Sequence, residues 1–469
     1  MHTHRADVAV LGAGPAGCVA ARHLGQAGVD VILVDGAIST GSHHVESFPP
    51  SGAPLAEDIG LLSTICAASD GPASAMMMNW RDMSEIRAFE GDGPLLLRRE
   101  ALHSALRAEA GMHARMLQTQ VRKIVTSDDA AEMTTDEGAI ICRMIVDARG
   151  RRALKRQGSD LVALPFDARG DVPDYTMWLD ALHNGWLWAA SLGGGEIHGA
   201  IFQKASALAG LSSQGRRALA RHQLLHASAF SNACDLSVGP PAAAGLSAMR
   251  DPVQSPRHVL IGDAALARDP IASHGLVHAL RSGVQAAVAV RTILDPTGDT
   301  QAALAFLRQK HVEAVSSARE ATARAYRDQS RFTGPFWAER SESIDAKTAP
   351  QIGSGPVTLA DPLTRAPVLE TDRIRWAPAI ALPAQNSFFT QHGTVTARDI
   401  AVACRPAAPL QEIATRLGRV HAMPIVFDVL QHLTLGGAFA QAVPLPSNKP
   451  CARVTSHPSS REIMRDNVS

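Results

Sequence analysis

Three glycines near the start of the chain have the spacing of a loop that binds phosphate. Residues 12–17 read G-A-G-P-A-G, which is a G-x-G-x-x-G pattern. In such a loop Gly12 permits a tight turn, Gly14 lets the backbone approach a pyrophosphate, and Gly17 allows a helix to pack closely on a strand. The free N–H groups at the start of the following helix attract the phosphates. Asp35 follows about 20 residues later, where a carboxylate accepts a hydrogen bond from a ribose hydroxyl.

The residues around this pattern predict the elements that position it. Residues 7–11 are apolar and β-prone and predict a buried parallel strand, and residues 18–27 have helical character up to Gly28. Residues 29–34 predict a second strand, which ends in Asp35. The complete strand–turn–helix–strand–acid context predicts a dinucleotide site. The acid favours NAD or FAD over NADP, because it would repel a 2′-phosphate.

Later segments favour FAD over NAD. Residues 99–110 predict an amphipathic helix after an apolar strand, and residues 145–152 end another strand in a turn. Residues 259–265 end a further strand, and residues 269–275 open a long helix. Together with the glycine pattern, these motifs resemble the glutathione-reductase-type FAD-binding fold of flavoprotein monooxygenases and flavin-dependent halogenases. The resemblance covers roughly residues 5–340 and implies an α/β protein.

This resemblance implies roles for particular residues in binding FAD. Arg99 should lie by the pyrophosphate, Val121 should offer its backbone to the adenine, and Asp263 should hold the ribityl chain. The loop of residues 269–275 should wrap the isoalloxazine, with the following helix directing its positive end at the flavin. The residues expected to bind FAD are Gly12, Gly14, Ala16, Gly17, Asp35, Gly36, Arg99, Val121, Gly262, Asp263, Asp269, Pro270 and Gly275.

The same resemblance, together with composition, divides the chain. An FAD-dependent core over residues 1–340 should contain an FAD-binding part (1–75, 93–158 and 250–340) and an interleaved β-sheet substrate domain (76–92 and 159–249). Residues 341–370 are rich in Ser, Pro, Gly and Thr and predict a linker. Residues 371–450 predict a small, mostly α module similar to a winged helix, either for peptide binding or for capping or dimerisation. Residues 451–469 predict a flexible tail.

Composition bears on the reaction. Six lysines accompany 39 arginines, and no lysine precedes Lys123. The resemblance implies that a halogenase would need a lysine from the segment 71–80, and arginine is a poor replacement because it stays charged. Trp186 and Trp188 resemble the family's W-x-W pair, although the x-I-P continuation found in tryptophan halogenases is absent. Oxygen insertion through a flavin hydroperoxide is therefore favoured over halogenation.

Two further stretches indicate a branch of the family. Residues 45–50 and 325–340 resemble bacterial flavoproteins that mature quinone cofactors in other proteins, including the monooxygenase serving quinohemoprotein amine dehydrogenase and its relative serving lysine oxidase. This resemblance implies hydroxylation of a tryptophan in a crosslinked small subunit, toward cysteine tryptophylquinone. A small-molecule aromatic hydroxylase, a tryptophan-halogenase-like enzyme and a non-catalytic flavoprotein chaperone remain alternatives.

Two residues are candidates for proton transfer in such a reaction. His274 lies in the loop expected to border the isoalloxazine, and the pKa range of histidine suits proton transfer near neutral pH. Glu46 is the second candidate. The alternative for both is a purely structural role.

Charge and cysteine content exclude several classes of protein. Lys+Arg and Asp+Glu both total 45, without basic blocks, which argues against nucleic acid or an anionic membrane as partner. No apolar run reaches the roughly 18 residues of a membrane helix. Six scattered cysteines without a C-x-x-C pair predict neither a metal site nor disulfides. With no export signal at the start, the cytoplasm is the expected location.

The electron donor is predicted only in outline. No second strand–G-x-G-x-x-G–helix unit follows the first, so a dedicated nicotinamide domain is not expected. Either NAD(P)H binds transiently or a separate flavin reductase supplies the electrons.

Overall fold

The computed structural model describes residues 2–36, 44–152, 160–227, 230, 232–341 and 353–442. No helix within these ranges is long and apolar enough to cross a membrane. The α-helices are Pro15–Gln26, Ala53–Asp58, Leu62–Ala67, Arg99–Gly111, Ser213–His226, Gly275–Leu294, Thr300–Arg327, Pro335–Ser341, Ala397–Ala403, Leu410–Leu417 and Met423–Leu435.

The first sheet carries the predicted dinucleotide motif. Its strands follow the spatial order Val253–Ser255, His258–Leu260, Gly138–Asp147, His2–Leu11, Val31–Asp35 and Arg115–Gln118. All neighbours are parallel except the first pair. Val8 and Val10 face a core shared with the helices, whereas Ala9 and Leu11 face a core shared with the antiparallel strands Val121–Thr126 and Ala131–Thr135. The strand is apolar on both faces because both faces are covered.

A second sheet is antiparallel except where Thr176–Leu182 pairs in parallel with Ala75–Asn79. Its strands follow the order Cys234–Val238, Leu161–Arg169, Glu196–Lys204, Gly185–Gly193, Thr176–Leu182, Ala75–Asn79 and Glu85–Ala88. Helix Ser213–His226 covers one face, where Leu187 is buried. The opposite face carries Trp186 and Trp188, since residues two apart on a strand share a face. A third, smaller sheet consists of Val45–Phe48, Leu95–Arg98 and Ser69–Pro72. Its strands lie in the chain between Val31–Asp35 and Arg115–Gln118 of the first sheet.

The C-terminal unit contains strands as well as three helices. Its strands are Val357–Leu359, Thr364–Glu370, Arg373–Leu382, Ser387–Phe389, Gln391–His392, Val395–Thr396 and Phe439–Gln441. The first two lie within the range predicted as a linker, so that prediction is wrong for them. The partner of Val357–Leu359 lies about 80 residues later, which no local pattern indicates, whereas Thr364–Glu370 pairs directly with the next strand, Arg373–Leu382. Residues 342–352 of the predicted linker and the predicted tail lie outside the described residues.

A hairpin of the C-terminal unit is fixed against the first sheet's helices. Ile374 is buried in the core of the dinucleotide-binding part. Its N–H donates to Thr292 Oγ1 at 3.0 Å. Arg373 lies 2.6 Å from a carboxylate oxygen of Asp295, at the end of helix Gly275–Leu294. The hairpin Thr364–Glu370/Arg373–Leu382 therefore has a defined position relative to the rest of the molecule.

Candidate functional site

A single cavity of about 780 Å³ joins the glycine turn to the second sheet. Its wall includes Gly12 and Gly14 at one end and Trp186, Trp188 and Phe202 at the other. This volume lies within the roughly 300–1,000 Å³ range of small-molecule and cofactor sites. The cavity is therefore large enough for a cofactor and opens onto an aromatic wall.

The glycine turn is built by close backbone packing. A Cβ at Gly12, where φ is +100°, would lie 2.6 Å from the Ala148 carbonyl oxygen, and one at Gly17 would lie 1.9 Å from the carbonyl oxygen of Gly12. Nothing lies within 4 Å of a Cβ built at Gly14, which is the N-cap of the first helix. Pro15 occupies the first turn, where its missing N–H costs nothing. The helix N-terminus is thus open to the cavity, as a pyrophosphate site requires.

One face of helix Arg99–Gly111 lines the cavity. Arg99, His103 and Arg107 are spaced four residues apart and all reach the wall. Arg107 is a site residue that sequence analysis missed, although this spacing is a signal that could have revealed it. Its guanidinium lies 2.8 Å from the carboxylate of Asp35 at the end of the second strand. Asp35, which is expected to bind a ribose hydroxyl, is therefore held in place by the positive charge of Arg107.

Glu46 is paired with Arg99 at the cavity wall. The Arg99 guanidinium donates to Glu46 Oε1. Burial acts to raise the pKa of Glu46, but the charge and hydrogen bond of Arg99 outweigh it, so the pKa lies below its ordinary value. The Glu46 charge in turn raises the pKa of Arg99. Glu46 is thus a poor proton acceptor, which argues for the structural alternative.

Asp263 is the residue to which the resemblance assigns a ribityl contact. It belongs to the short 3₁₀ turn Gly262–Ala264 and lines the cavity 3.5 Å from Arg151. Burial raises the pKa of Asp263, and the Arg151 charge opposes this effect. A Cβ at Gly262 would lie 2.7 Å from Ala16 Cβ, so this turn packs directly on the first helix.

The loop of residues 269–275 reaches the cavity, but His274 does not. Its side chain is exposed, and its Nδ1 is hydrogen-bonded to the Ala272 carbonyl. The neighbouring Ser273 and Gly275 line the wall, whereas His274 is not part of it. Ser273 has a φ of +49°, and this left-handed turn coincides with the outward position of the imidazole. The structure therefore gives His274 no place for proton transfer in the cavity.

A buried hydrogen-bonded chain connects Trp186 of the aromatic wall to Asp269 of the loop 269–275. The Trp186 Nε1–H donates to the Tyr326 hydroxyl at 3.2 Å, and this hydroxyl donates to Asp269 Oδ2 at 3.3 Å. Trp186 and Tyr326 are each 1% exposed. Burial raises the pKa of Asp269 to about 6, although hydrogen bonds from the Ile271 N–H and Tyr326 oppose it. Sequence analysis missed Tyr326 because its partners lie 140 and 57 residues away.

The structure brings most of the predicted cofactor residues to one wall. Gly17 and Gly262 lie behind it, in packing contacts. The predicted residues that line the cavity are Gly12, Gly14, Ala16, Asp35, Gly36, Arg99, Val121, Asp263, Asp269, Pro270 and Gly275.

Unsatisfied polar atoms indicate that this wall fits a polar ligand. Arg107 Nε, Thr119 Oγ1 and Arg268 Nε are buried without a hydrogen-bond partner in the described chain. All three residues line the cavity. Buried polar groups normally find partners, and the phosphates, ribose and adenine of FAD offer acceptors for them. The donor set and the open helix N-terminus therefore fit FAD.

Residues 5–136 match the FAD binding domain family. This domain binds FAD. It holds the glycine turn, Asp35, Arg99 and Val121. No curated protein sequence matches the chain.

Several solved structures are similar to the chain over most of its length. QhpG, a peptidyl tryptophan dihydroxylase essential for tryptophylquinone cofactor biogenesis, is 21% identical, with a TM-score of 0.73, over 92% of this chain and 99% of its own. The flavin-dependent halogenase CmlS is 17% identical, with a TM-score of 0.76, over 93% and 96%. PqsL of Pseudomonas aeruginosa, a probable FAD-dependent monooxygenase, is 16% identical, with a TM-score of 0.56, over 72% and 100%.

These likenesses confirm the predicted fold. The chain has the fold and the FAD-binding domain of flavin-dependent oxidoreductases, a group that includes monooxygenases and halogenases. The matches to QhpG and CmlS extend into the C-terminal unit, since the residues after Ser341 make up more than a quarter of the chain.

Replacing Asp263 with alanine should weaken FAD binding. A charged hydrogen bond contributes roughly 1.5–3 kcal/mol, so the dissociation constant should rise by about tenfold or more. Titration of the apoprotein with FAD, followed by quenching of flavin fluorescence, measures this change. Asp171→Ala removes an exposed carboxylate outside the cavity and should bind FAD like the parent. Unchanged affinity in Asp263→Ala would refute the placement of this residue at the cofactor.

Proposed function

We propose that this chain is an FAD-dependent monooxygenase that hydroxylates a tryptophan side chain of a polypeptide. Its role would be in the biogenesis of the cysteine tryptophylquinone cofactor of a quinohemoprotein amine dehydrogenase. The observation that carries this proposal is the single cavity that joins the FAD site to the aromatic face of the second sheet. The similarity to QhpG over almost the whole chain supports it.

The far end of the cavity suits an aromatic substrate. Trp186 stacks on Phe202 with ring centres 3.8 Å apart and planes 12° apart, and Trp188 is only partly buried beside them. Ala163 and Pro165 add apolar surface to the same wall. A flat indole ring can pack against such a wall in offset or edge-to-face contact. The side chain of a substrate tryptophan would thus enter between the second sheet and the flavin.

The polar residues of the wall favour oxygen transfer over halogenation. Within the described chain, the basic residues that line the cavity are arginines and the histidines His44 and His103, and none is a lysine. A guanidinium stays protonated at neutral pH and offers no neutral amine to a hypohalous acid. Halogenation therefore remains the second candidate only because of the similarity to CmlS.

Reduced FAD, when bound, would activate dioxygen so that one of its oxygen atoms can be transferred to the substrate. Electrons would come from a separate reductase or from transiently bound NAD(P)H. The residues of the chain hold and orient the reactants. The open N-terminus at Gly14 and the guanidinium groups of Arg99 and Arg107 would bind the phosphates, and the apolar wall would keep water away from the indole.

Hydroxylation of an indole carbon also releases a ring proton, which needs an acceptor. Asp269 lines the cavity, and its pKa of about 6 leaves it ionised at neutral pH yet basic enough to take a proton. The Tyr326 hydroxyl donates to its Oδ2 and would hold the carboxylate in position. Asp269 thus takes the role that sequence analysis assigned to His274.

Mass spectrometry of the substrate tests the proposed reaction. A crosslinked quinoprotein small subunit incubated with this protein, FAD, a flavin reductase and NADH should gain the mass of one or more oxygen atoms on a tryptophan. Parallel reactions with chloride and bromide should give no halogenated peptide. Free tryptophan and other small aromatic compounds should stay unmodified. An unchanged peptide mass while reduced flavin turns over would refute the proposal.

The pH dependence of turnover tests the proton acceptor. In the parent protein kcat should fall as pH drops through about 6, because protonated Asp269 cannot accept a proton. Asp269→Asn should lower kcat by about 10²–10⁴-fold and remove this acid limb, since the amide keeps the shape but not the basicity. FAD affinity should be measured alongside, to separate this effect from cofactor loss.

Two further variants complete this experiment. Asp361→Asn changes an exposed aspartate outside the cavity in the same way and should keep the parent profile. His274→Gln distinguishes the two assignments. If His274→Gln abolished the acid limb while Asp269→Asn kept it, the proton would pass through His274 and the assignment to Asp269 would be wrong.

A further inference from the structure

The C-terminal unit contains a second opening, which we call the arginine groove. It lies between the hairpin Thr364–Glu370/Arg373–Leu382 and helix Ala397–Ala403 and has a volume of about 680 Å³. It shares no lining residue with the FAD cavity. The function proposed above makes no use of it.

Three arginines give the groove a positive charge that the described chain does not neutralise. Arg365, Arg398 and Arg405 line it and are exposed, and none of the described residues lining it is acidic. By contrast, Arg373 and Arg375 on the same hairpin lie within ion-pair distance of Asp295 and Glu370. Within the described ranges, no carboxylate forms an ion pair with any of the three groove arginines. Such a cluster favours a negatively charged ligand.

The groove also presents apolar surface between its charges. Val402 is 72% exposed and Leu363 is 39% exposed, although both are large apolar residues. The Trp376 ring lines the groove, with the Arg365 guanidinium carbon 5.7 Å from its centre. Arg398 lies one turn before Val402 on the same helix face. A ligand that alternates acidic and apolar groups would satisfy both kinds of surface.

These features favour a polypeptide over a nucleic acid. Binding to a phosphate backbone depends on a broad basic surface, whereas this chain has equal numbers of acidic and basic residues. Exposed aliphatic side chains such as Val402 and Leu363 have no partner on a phosphate backbone. An amphipathic peptide segment, in contrast, places apolar side chains into a groove and charged ones along its rim.

The groove is also held in a defined position relative to the FAD domain. Trp376 packs against the same core in which Ile374 is buried, so the hairpin that forms one wall of the groove is anchored there. A polypeptide bound in the groove would therefore be held at a fixed position relative to the domain that contains the FAD cavity. Such tethering raises the local concentration of the reacting side chain.

We propose that the arginine groove binds an acidic, amphipathic segment of the polypeptide substrate. This inference rests on the proposed function, because it supplies the place where that substrate is held while its tryptophan occupies the cavity. Binding in the groove precedes and does not require the oxidation step. The two claims can therefore be tested separately.

Fluorescence anisotropy with the FAD-loaded protein measures groove binding directly. The probe is a short fluorescein-labelled peptide of alternating glutamate and leucine, and its lysine–leucine counterpart and a short DNA duplex serve as comparisons. The acidic peptide should bind and the other two should not. The double variant Arg398→Glu/Arg405→Glu should weaken binding at least about tenfold, because it replaces two attractions with two repulsions. Arg419→Glu, an exposed arginine outside the groove, should leave binding unchanged.

Three results would overturn the groove assignment. These are no binding of the acidic peptide, equal affinity in the double and control variants, or preferential binding of the DNA duplex. Circular dichroism and FAD affinity verify that the double variant is folded. With the small subunit as substrate, the double variant should raise KM and leave kcat close to the parent value, since the groove lies outside the reacting centre.

The results that would refute the proposed function differ from those that would refute the groove assignment. Binding of the acidic peptide in the groove without any oxygenation of a polypeptide tryptophan would refute the function and keep the groove. Oxygenation of the small subunit with a KM that is unaffected by Arg398→Glu/Arg405→Glu would keep the function and refute the groove.

Discussion

Backbone crowding around the first turn of helix Pro15–Gln26 is the constraint on which the rest of the structure depends. A Cβ at Gly17 would lie 1.9 Å from a carbonyl oxygen of the glycine turn. A Cβ at Gly262 would lie 2.7 Å from the Ala16 Cβ, and one at Gly283 would lie 2.6 Å from the Ala16 carbonyl oxygen. Gly262 and Gly283, which are far from this helix in sequence, can therefore contact its first turn only because they lack a side chain. This packing brings the glycine turn, Asp263 and the loop of residues 269–275 to one wall of the cavity.

The cavity that results differs chemically from end to end. At the glycine turn, guanidinium groups and an open helix N-terminus suit phosphates, whereas the second sheet offers stacked aromatic rings. Asp269 also lines this cavity and is linked through the Tyr326 hydroxyl to the indole N–H of Trp186. Its burial holds the pKa of this carboxyl in a range useful for proton transfer. In the proposed function, one cavity would therefore hold the cofactor, the substrate ring and a proton acceptor.

The parts of the site that depend on local patterns could be predicted from the sequence. The glycine turn, its strands and helix Arg99–Gly111 follow from spacing and periodicity over short stretches. The link from Asp269 to Tyr326 could not be predicted, because it arises only when distant segments pack. The outward position of His274 coincides with a left-handed residue, Ser273, that no sequence pattern indicates. The strand Val357–Leu359 was predicted as part of a linker, because its partner strand lies about 80 residues later and no local pattern indicates the pairing.

Isotopically labelled dioxygen tests the central claim, that one cavity brings activated oxygen and a polypeptide tryptophan together. The account predicts that a crosslinked small subunit treated with this protein, FAD, a flavin reductase and NADH under labelled dioxygen carries the label on its tryptophan ring. It also predicts that labelled water under ordinary dioxygen leaves the newly added oxygen unlabelled. Label that enters from water, or that stays absent from the peptide while reduced flavin is consumed, would contradict the account.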